Sequence, residues 1–331
     1  MDSLTQIVLG AAVGEAVLGK KIGNKAMFYG AIAGTIPDLD VLSSHFVDTV
    51  TALEIHRGFT HSIVFSVLMG LGLGWLVSKY DTNATQKEWS CLFFMALVTH
   101  PLLDAHTSWG TQLFWPLDLR LAYKNIFVID PLYTVPFLVF LIWAMFLPKA
   151  SHKRRKLNKL GLLISSCYML ITIGLKGISY QHFKTALAEQ QINYLEIETK
   201  PSPLNTILWT ANIELNDSYL IGDYSFFDTK PIDFKTYPKN HHLVTHLKTN
   251  TKLERLIHIS KGWYTITEVG GQLYFNDLRF GLIGVNEADD QFVFSYLLSE
   301  EENGLTVSEV PKEMTDGKQL LFKLWKRIKG N

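Results

Sequence analysis

Four stretches of the chain contain no Asp, Glu, Lys or Arg: residues 62–78 ("SIVFSVLMGLGLGWLVS"), 89–103, 131–148 ("PLYTVPFLVFLIWAMFLP") and 160–175 ("LGLLISSCYMLITIGL"). A helix crossing a bilayer needs roughly 17–25 apolar residues. The first and third fit, the third most clearly, and the other two fall slightly short. Two further stretches, residues 4–18 and 26–36, are rich in Ala and Gly, a composition suited to close helix packing in membranes. Together these patterns predict a polytopic all-α membrane bundle over residues 1–180.

After about residue 181 no run is long enough to span. Apolar and polar positions alternate in "NTILWTANIEL", "SYLIGDYSFFD", "GWYTITEVGGQLYFNDLRFG" and "DQFVFSYLL", which read as short strands bounded by turns. Gly270-Gly271 marks a hairpin turn. Residues 181–331 are therefore expected to form a smaller, strand-rich extramembrane domain, α+β or mainly β. The closing "DGKQLLFKLWKRIKG" spaces Leu320, Leu321, Leu324, Trp325 and Ile328 as a helix does, with lysines between them. The plain expectation is a helix packed on the sheet. The alternative is a basic amphipathic helix lying on a membrane surface.

Charge adds orientation. Lys and Arg collect in "GKKIGNK", in the connection at residues 79–87, and most densely in "SHKRRKLNK". Placing these inside sends "PDLD", "HRGFTHS" and "THPLLDAH" to one external end of the bundle and makes the C-terminal domain extracytoplasmic. The N-terminal "MDSLTQIVLGAAVGEAVLGKK" has no basic leading region and carries Glu15, so it is not expected to be a cleaved signal.

Composition agrees with membrane residence. Hydrophobic residues make up 47% and charged residues 19%, below the quarter or so usual for a soluble chain. The formal net charge is zero, and without a basic field no direct nucleic-acid partner is expected. Membrane lipids are the expected surroundings; oligomeric state is open. The two cysteines, Cys91 and Cys167, lie in apolar runs and are expected to be buried thiols.

The chemistry sits in three short stretches. His100 and Asp104 are four apart, so on a helix they share a face, and His106 follows just beyond. His56 and His61 flank "RGFT", while Asp38 and Asp40 flank Leu39 after Pro37. Imidazole and carboxylate together suit zinc, with manganese or iron as alternatives. The expected ligands are Asp38, Asp40, His56, His61, His100, Asp104 and His106, enough for a two-metal site. Asp104 or Asp38 would serve as ligand or general base. Arg57, with Arg120, would neutralise an anionic substrate. His45 and Asp48, expected in a loop, and "HHLVTH" (residues 241–246), expected as a solvated strand or loop, are weaker candidates. Ionisable groups near a bilayer are costly and tend to be functional.

At these motifs, "MDSLTQIVLGAAVGEAVLGKK", "GTIPDLDVL", "HRGFTHS" and "THPLLDAHTSWGTQLFWP", the chain resembles the YdjM-like family of bacterial inner-membrane proteins regarded as metal-dependent hydrolases. "PSPLNTILW" and "NDLRFG" resemble the long members of that family. The family is similar, more distantly, to the zinc-dependent phospholipase C and P1 nuclease group, whose H-x3-D ligand pair corresponds to His100 and Asp104. Many relatives carry a histidine where this chain has Gln6. Glutamine is a poor zinc ligand, so that position is either lost or turned to hydrogen bonding.

The resulting expectation is a multi-pass inner-membrane, metal-dependent hydrolase acting on an ester or phosphoester, such as a lipid, near the membrane surface. The competing reading is a non-enzymatic scaffold or sensor with a structural metal. A transporter fits less well, because the apolar stretches carry almost no polar residues deeper in the bilayer.

Overall fold

A computed structural model describes residues 1–283, 291–302, 304–311 and 317–331. The chain divides into two units: Met1–Ser43, Ile55–Leu175 and Pro203–Asn205 in one, Ser44–Glu54, Lys176–Ser202 and Thr206–Asn331 in the other.

The first unit is helical. Helix α1 (Ser3–Ile22) is capped by Asp2, which accepts from the Thr5 amide. It turns at Gly23 (φ 63°) into α2 (Asn24–Thr35). The two pack backbone to backbone. A Cβ on Gly10, Gly14, Gly30 or Gly34 would run into the main chain of the opposite helix, so the four-residue glycine spacing is what permits the approach. After a 3-10 turn (Pro37–His45) and α3 (Thr49–Ile55) comes a second turn (Phe59–His61). Helix α4 (Ile63–Tyr80) then pairs with α5 (Gln86–Asp104), which opens on a Thr85–Glu88 capping box. Helix α6 (Pro131–Met145) and the start of α7 (His152–Glu189) complete the unit.

This architecture overturns the polytopic bundle. Among the described residues two helices, α4 and α7, are long and apolar enough to cross a membrane. The apolar run at 89–103 belongs to α5, which begins with Lys87 and Glu88 and turns Leu92, Phe93, Ala96 and Leu97 into the protein core. The run at 131–148 yields a helix of 15 residues, about 22 Å against a hydrocarbon thickness of about 30 Å. Helix α2 has 12 residues, and α1 carries Glu15 and buries its small side chains on α2. Part of the apolar composition in these helices serves contact between helices, as the glycine-packed pair α1 and α2 shows. The outward faces of α4 and α7 do stay apolar, with Leu68, Leu71, Trp75, Leu170 and Ile171 exposed. Cys91 and Cys167 are exposed too, against expectation, because each falls on the side of its helix away from the core.

One polar knot ties this unit together away from the motifs. Arg154, 2% exposed, donates Nε to Glu15 Oε1 (2.7 Å) and Nη2 to Glu15 Oε2 (2.5 Å). Its Nη1 reaches Asn24 Oδ1 and the Leu147 carbonyl. One member of the basic cluster thus joins α7 to α1.

The second unit holds two antiparallel meanders of four strands each. The first comprises β1 (Glu196–Pro201), β2 (Leu208–Glu214), β3 (Ser218–Ser225) and β4 (Phe234–Pro238). The second comprises β5 (Tyr264–Val269), β6 (Gln272–Ile283), β7 (Gln291–Glu301) and β8 (Gly304–Glu309). Val269 pairs with Gln272 across Gly270-Gly271, both at positive φ, as a two-residue hairpin turn requires. Helix α8 (Thr251–Ile259) covers the second sheet with Leu253 and Leu256. So does α3: Val50, fully buried, joins that core, and Arg255 grips Glu54 through two hydrogen bonds of 2.8 and 2.6 Å. "HHLVTH" lies in a 3-10 helix (His241–Leu247) that buries Val244 and Leu247. The closing helix α9 (Gly317–Ile328) is fastened at its C-terminal end, where Ile328 is buried.

Candidate metal centre

Four donors converge in the first unit: Asp38, His61, His100 and Asp104 offer atoms all within 4.8 Å of one another. Each arrives for a local reason. Helix α2 stops before Pro37, and the 3-10 turn that follows presents Asp38 and Asp40. His61 ends the short turn before Ser62, whose hydroxyl accepts from the Phe65 amide and starts α4. His100 and Asp104 occupy the last turn of α5, one helical turn apart.

The Nε2 atoms of His61 and His100 stand 3.1 Å apart. Asp38 Oδ1 lies 3.3 Å from the first and 3.4 Å from the second. Asp104 Oδ2 is 3.6 Å from both. A first-row divalent ion bound tetrahedrally at about 2.0–2.2 Å has ligand–ligand edges of roughly 3.3–3.6 Å. Four of the five distances fall within that range, and the separation of the two Nε2 atoms lies just below it.

The outer hydrogen bonds fix the tautomers. His100 Nδ1 faces the Gly34 carbonyl at 2.6 Å, so it must donate, leaving Nε2 as a lone pair. Gly34 is also where α2 abuts the Gln6 carbonyl, so one glycine serves both packing and orientation. Thr60 Oγ1 donates to Asp40 Oδ2 (2.9 Å) and so accepts from His61 Nδ1 (3.0 Å). Nε2 of His61 is again turned inward. Two lone pairs facing one another over 3.1 Å demand a cation between them, a proton or a metal. Metal-bound histidines are characteristically held this way through their second nitrogen.

Asp104 is fully buried, and its Oδ2 has no hydrogen-bond donor. Arg57 Nε lies 3.0 Å from that oxygen as an ion pair. Oδ1 accepts from Gln6 Nε2 at 2.9 Å and meets the Met1 amino group. Burial alone would push the Asp104 carboxyl up; the Arg57 guanidinium, the amino group and the two imidazoles outweigh it and hold it well below the usual carboxylate range. Asp38, despite burial, is likewise depressed by His100 and His61. His61 shows the counterpart. Burial disfavours its charge, but Asp104, Asp38 and Asp40 raise its pKa to about 9.

The remaining candidates surround this cluster or lie apart from it. Asp40 stands behind it, accepting from His56 Nδ1 (2.9 Å), the Arg57 amide (2.8 Å) and Thr60. Burial works against its charge, but His56 and His61 keep it depressed. His56 is partly exposed and tilts against Trp109. Arg57 adopts φ 60°, the left-handed region that non-glycine residues seldom occupy. There its amide faces Asp40, while Nη1 donates to Thr107 Oγ1. Arg120 donates to the His56 carbonyl. His106 donates from Nδ1 to Asn125 Oδ1 (2.8 Å) and is not among the converging donors. Asp48 caps α3, and like His45 it belongs to the second unit. Sequence reasoning passed over Thr60, Thr107 and Gly34. Thr60 stood inside a quoted motif, but a hydroxyl or carbonyl that orients a ligand leaves no spacing signature.

The YdjM inner membrane protein family matches residues 1–181 of the chain. Inner membrane protein YbcI of Escherichia coli (strain K12) is 30% identical over 112 residues, which is 34% of this chain and 64% of that relative. The chain thus covers less than two thirds of that relative's length. No solved structure matches, and the distant likeness to the phospholipase C and P1 nuclease group is not shown. The family match takes in every residue of the donor cluster, and on it this chain belongs to the YdjM inner membrane protein family.

Proposed function

We propose that the protein is a membrane-bound, metal-dependent hydrolase acting on an ester or phosphoester close to the membrane surface. One observation carries this reading: two histidines, oriented through their Nδ1 atoms, face each other over 3.1 Å beside two carboxylates. The N2O2 donor set suits zinc, with manganese or iron as alternatives. Such an ion would supply Lewis-acid polarisation and lower the pKa of a water at its open position.

The chain's own residues divide the work. His61, His100 and Asp104 are fully buried, whereas the Asp38 side chain is 25% exposed. The three buried groups would hold the ion, and Asp38, on the solvent side, would take a proton from water as general base. Arg57 balances the charge of Asp104 and keeps it in place. Candidate spans in α4 and α7 support a position at the membrane, and the basic start of α7 favours a cytoplasmic location for that end. The C-terminal domain would then lie on the outer side.

A scaffold with a structural metal is the second reading, favoured by the presence of four protein donors, since closed four-ligand sites are the structural kind. Metal analysis of protein purified without chelators, with a phosphoesterase and lipase screen run on wild type and His100→Ala, separates the two. One equivalent of metal and turnover lost together in the variant supports the hydrolase. Metal without turnover on any substrate favours the scaffold, and metal-free wild-type protein overturns both.

A further inference from the structure

Helix α9 lies in the second unit and is fastened to it at its C-terminal end. Arg327 makes two hydrogen bonds to the Asp228 carboxylate, 2.6 and 2.7 Å, and a third to the Asp223 carbonyl. Ser225 Oγ donates to the Ile328 carbonyl at 2.6 Å, and Ile328 is the buried side chain of the helix. The apolar stripe that runs back along the helix from Ile328 is otherwise uncovered: Leu321 is 53%, Phe322 69% and Trp325 58% exposed. Lysines border this stripe. Lys318 and Lys326 are exposed beside it, and Lys329 Nζ lies 5.2 Å from the Trp325 ring centroid. Residues 317–331 contain no Asp or Glu.

A packed helix buries its leucines and aromatics. Here the strongest apolar side chains stay exposed, although the helix is fixed to the second unit through Arg327 and Ile328. A stripe of Leu, Phe and Trp rimmed by lysines is the pattern of a helix lying in the plane of a bilayer interface, with lysine stems extending toward lipid phosphates. Anionic headgroups match the all-positive rim, and a chain of an inner-membrane family with two candidate spans keeps a bilayer permanently within reach. We infer that α9 docks on an anionic phospholipid surface, with Leu321, Phe322 and Trp325 immersed and Lys318, Lys326 and Lys329 at the phosphate level. This inference is independent of the metal centre.

The test uses the full-length chain in nanodiscs, with Cys91→Ser and Cys167→Ser removing the native thiols and one spin label at Phe322→Cys or, separately, Leu321→Cys. Both positions are exposed, so neither label disturbs the core. In discs of phosphatidylcholine with phosphatidylglycerol, the label should be open to oxygen and shielded from a water-soluble nickel chelate. Discs of phosphatidylcholine alone should reverse that preference. So should Lys318→Glu combined with Lys326→Glu and Lys329→Glu, since each lysine removed weakens binding roughly fivefold. A label reached by nickel in both lipids overturns the proposal. Shielding from both reagents, which would mean contact with protein such as a second copy, overturns it too. Equal immersion in both lipids overturns the assignment to an anionic surface.

Discussion

Thr60 stands between Asp40 and His61: its hydroxyl donates to the carboxylate at 2.9 Å and accepts from the imidazole Nδ1 at 3.0 Å. A residue that touches no metal donor atom thus decides which nitrogen of His61 faces the cluster. Thr60→Val keeps the shape and removes the relay. Metal affinity should fall about 10–100-fold, the usual cost of losing an outer hydrogen bond to a ligating histidine. Competition against a chromophoric chelator measures it, and an unchanged affinity would mean that the hydroxyl does not orient the ring.

Proton and metal compete for the same place. The metal-free protein holds a proton on His61 up to about pH 9, because Asp104, Asp38 and Asp40 outweigh the effect of burial. Zinc has to displace that proton, so its apparent affinity should rise about tenfold per pH unit from neutrality towards pH 9 and flatten above it. Calorimetry in buffers of different ionisation enthalpy would count the proton released. Zinc binding with no proton release at pH 7 would contradict the raised pKa.

How much of this was legible beforehand differs from element to element. The i, i+4 pair His100 and Asp104 is a local pattern, and the helix that presents it is local too. Choosing among His56, His61, Asp38 and Asp40 was not local. It depends on the left-handed turn at Arg57, which directs its amide to Asp40, and nothing in "HRGFTH" demands that turn. His106 lies one residue past the C-cap of α5, where the chain leaves the helix axis and the ring finds Asn125. The number of membrane spans was overestimated for a related reason. Ala- and Gly-rich helices look alike whether they meet lipid or each other, and composition does not record that Gly10 and Gly14 pack against Gly30. The strands, by contrast, carry their signal in two-residue alternation and a Gly-Gly turn.

Gly30→Val tests the packing of α1 on α2. Its Cβ would meet the Gly10 carbonyl, backbone that has nowhere to move, so a loss of at least about 1–3 kcal/mol is expected. Thermal unfolding in detergent, followed by size-exclusion chromatography, should show a clear drop. Gly72→Val, on a helix face where a Cβ meets nothing within 4 Å, should not.

Arg154 and Glu15 give a sharper contrast. Arg154→Leu strands a buried carboxylate and should cost about 3–5 kcal/mol, whereas Arg154→Leu with Glu15→Leu should recover most of it. If the double variant is as unstable as the single one, the bonds from Arg154 to Asn24 and the Leu147 carbonyl matter more than the ion pair.

The placement of Ser44–Glu54 in the strand-rich unit has a consequence in time. Glu54 waits for Arg255, 201 residues further along the chain, and Val50 waits for a core built from β5 to β8. At synthesis rates of about 5–20 residues per second, that partner emerges roughly 10–40 s later. Throughout that interval Val50 and Glu54 lack the partners they have in the folded protein. The emergence of Arg255 and of strands β5 to β8, well after Asp104, is what supplies this segment with its partners.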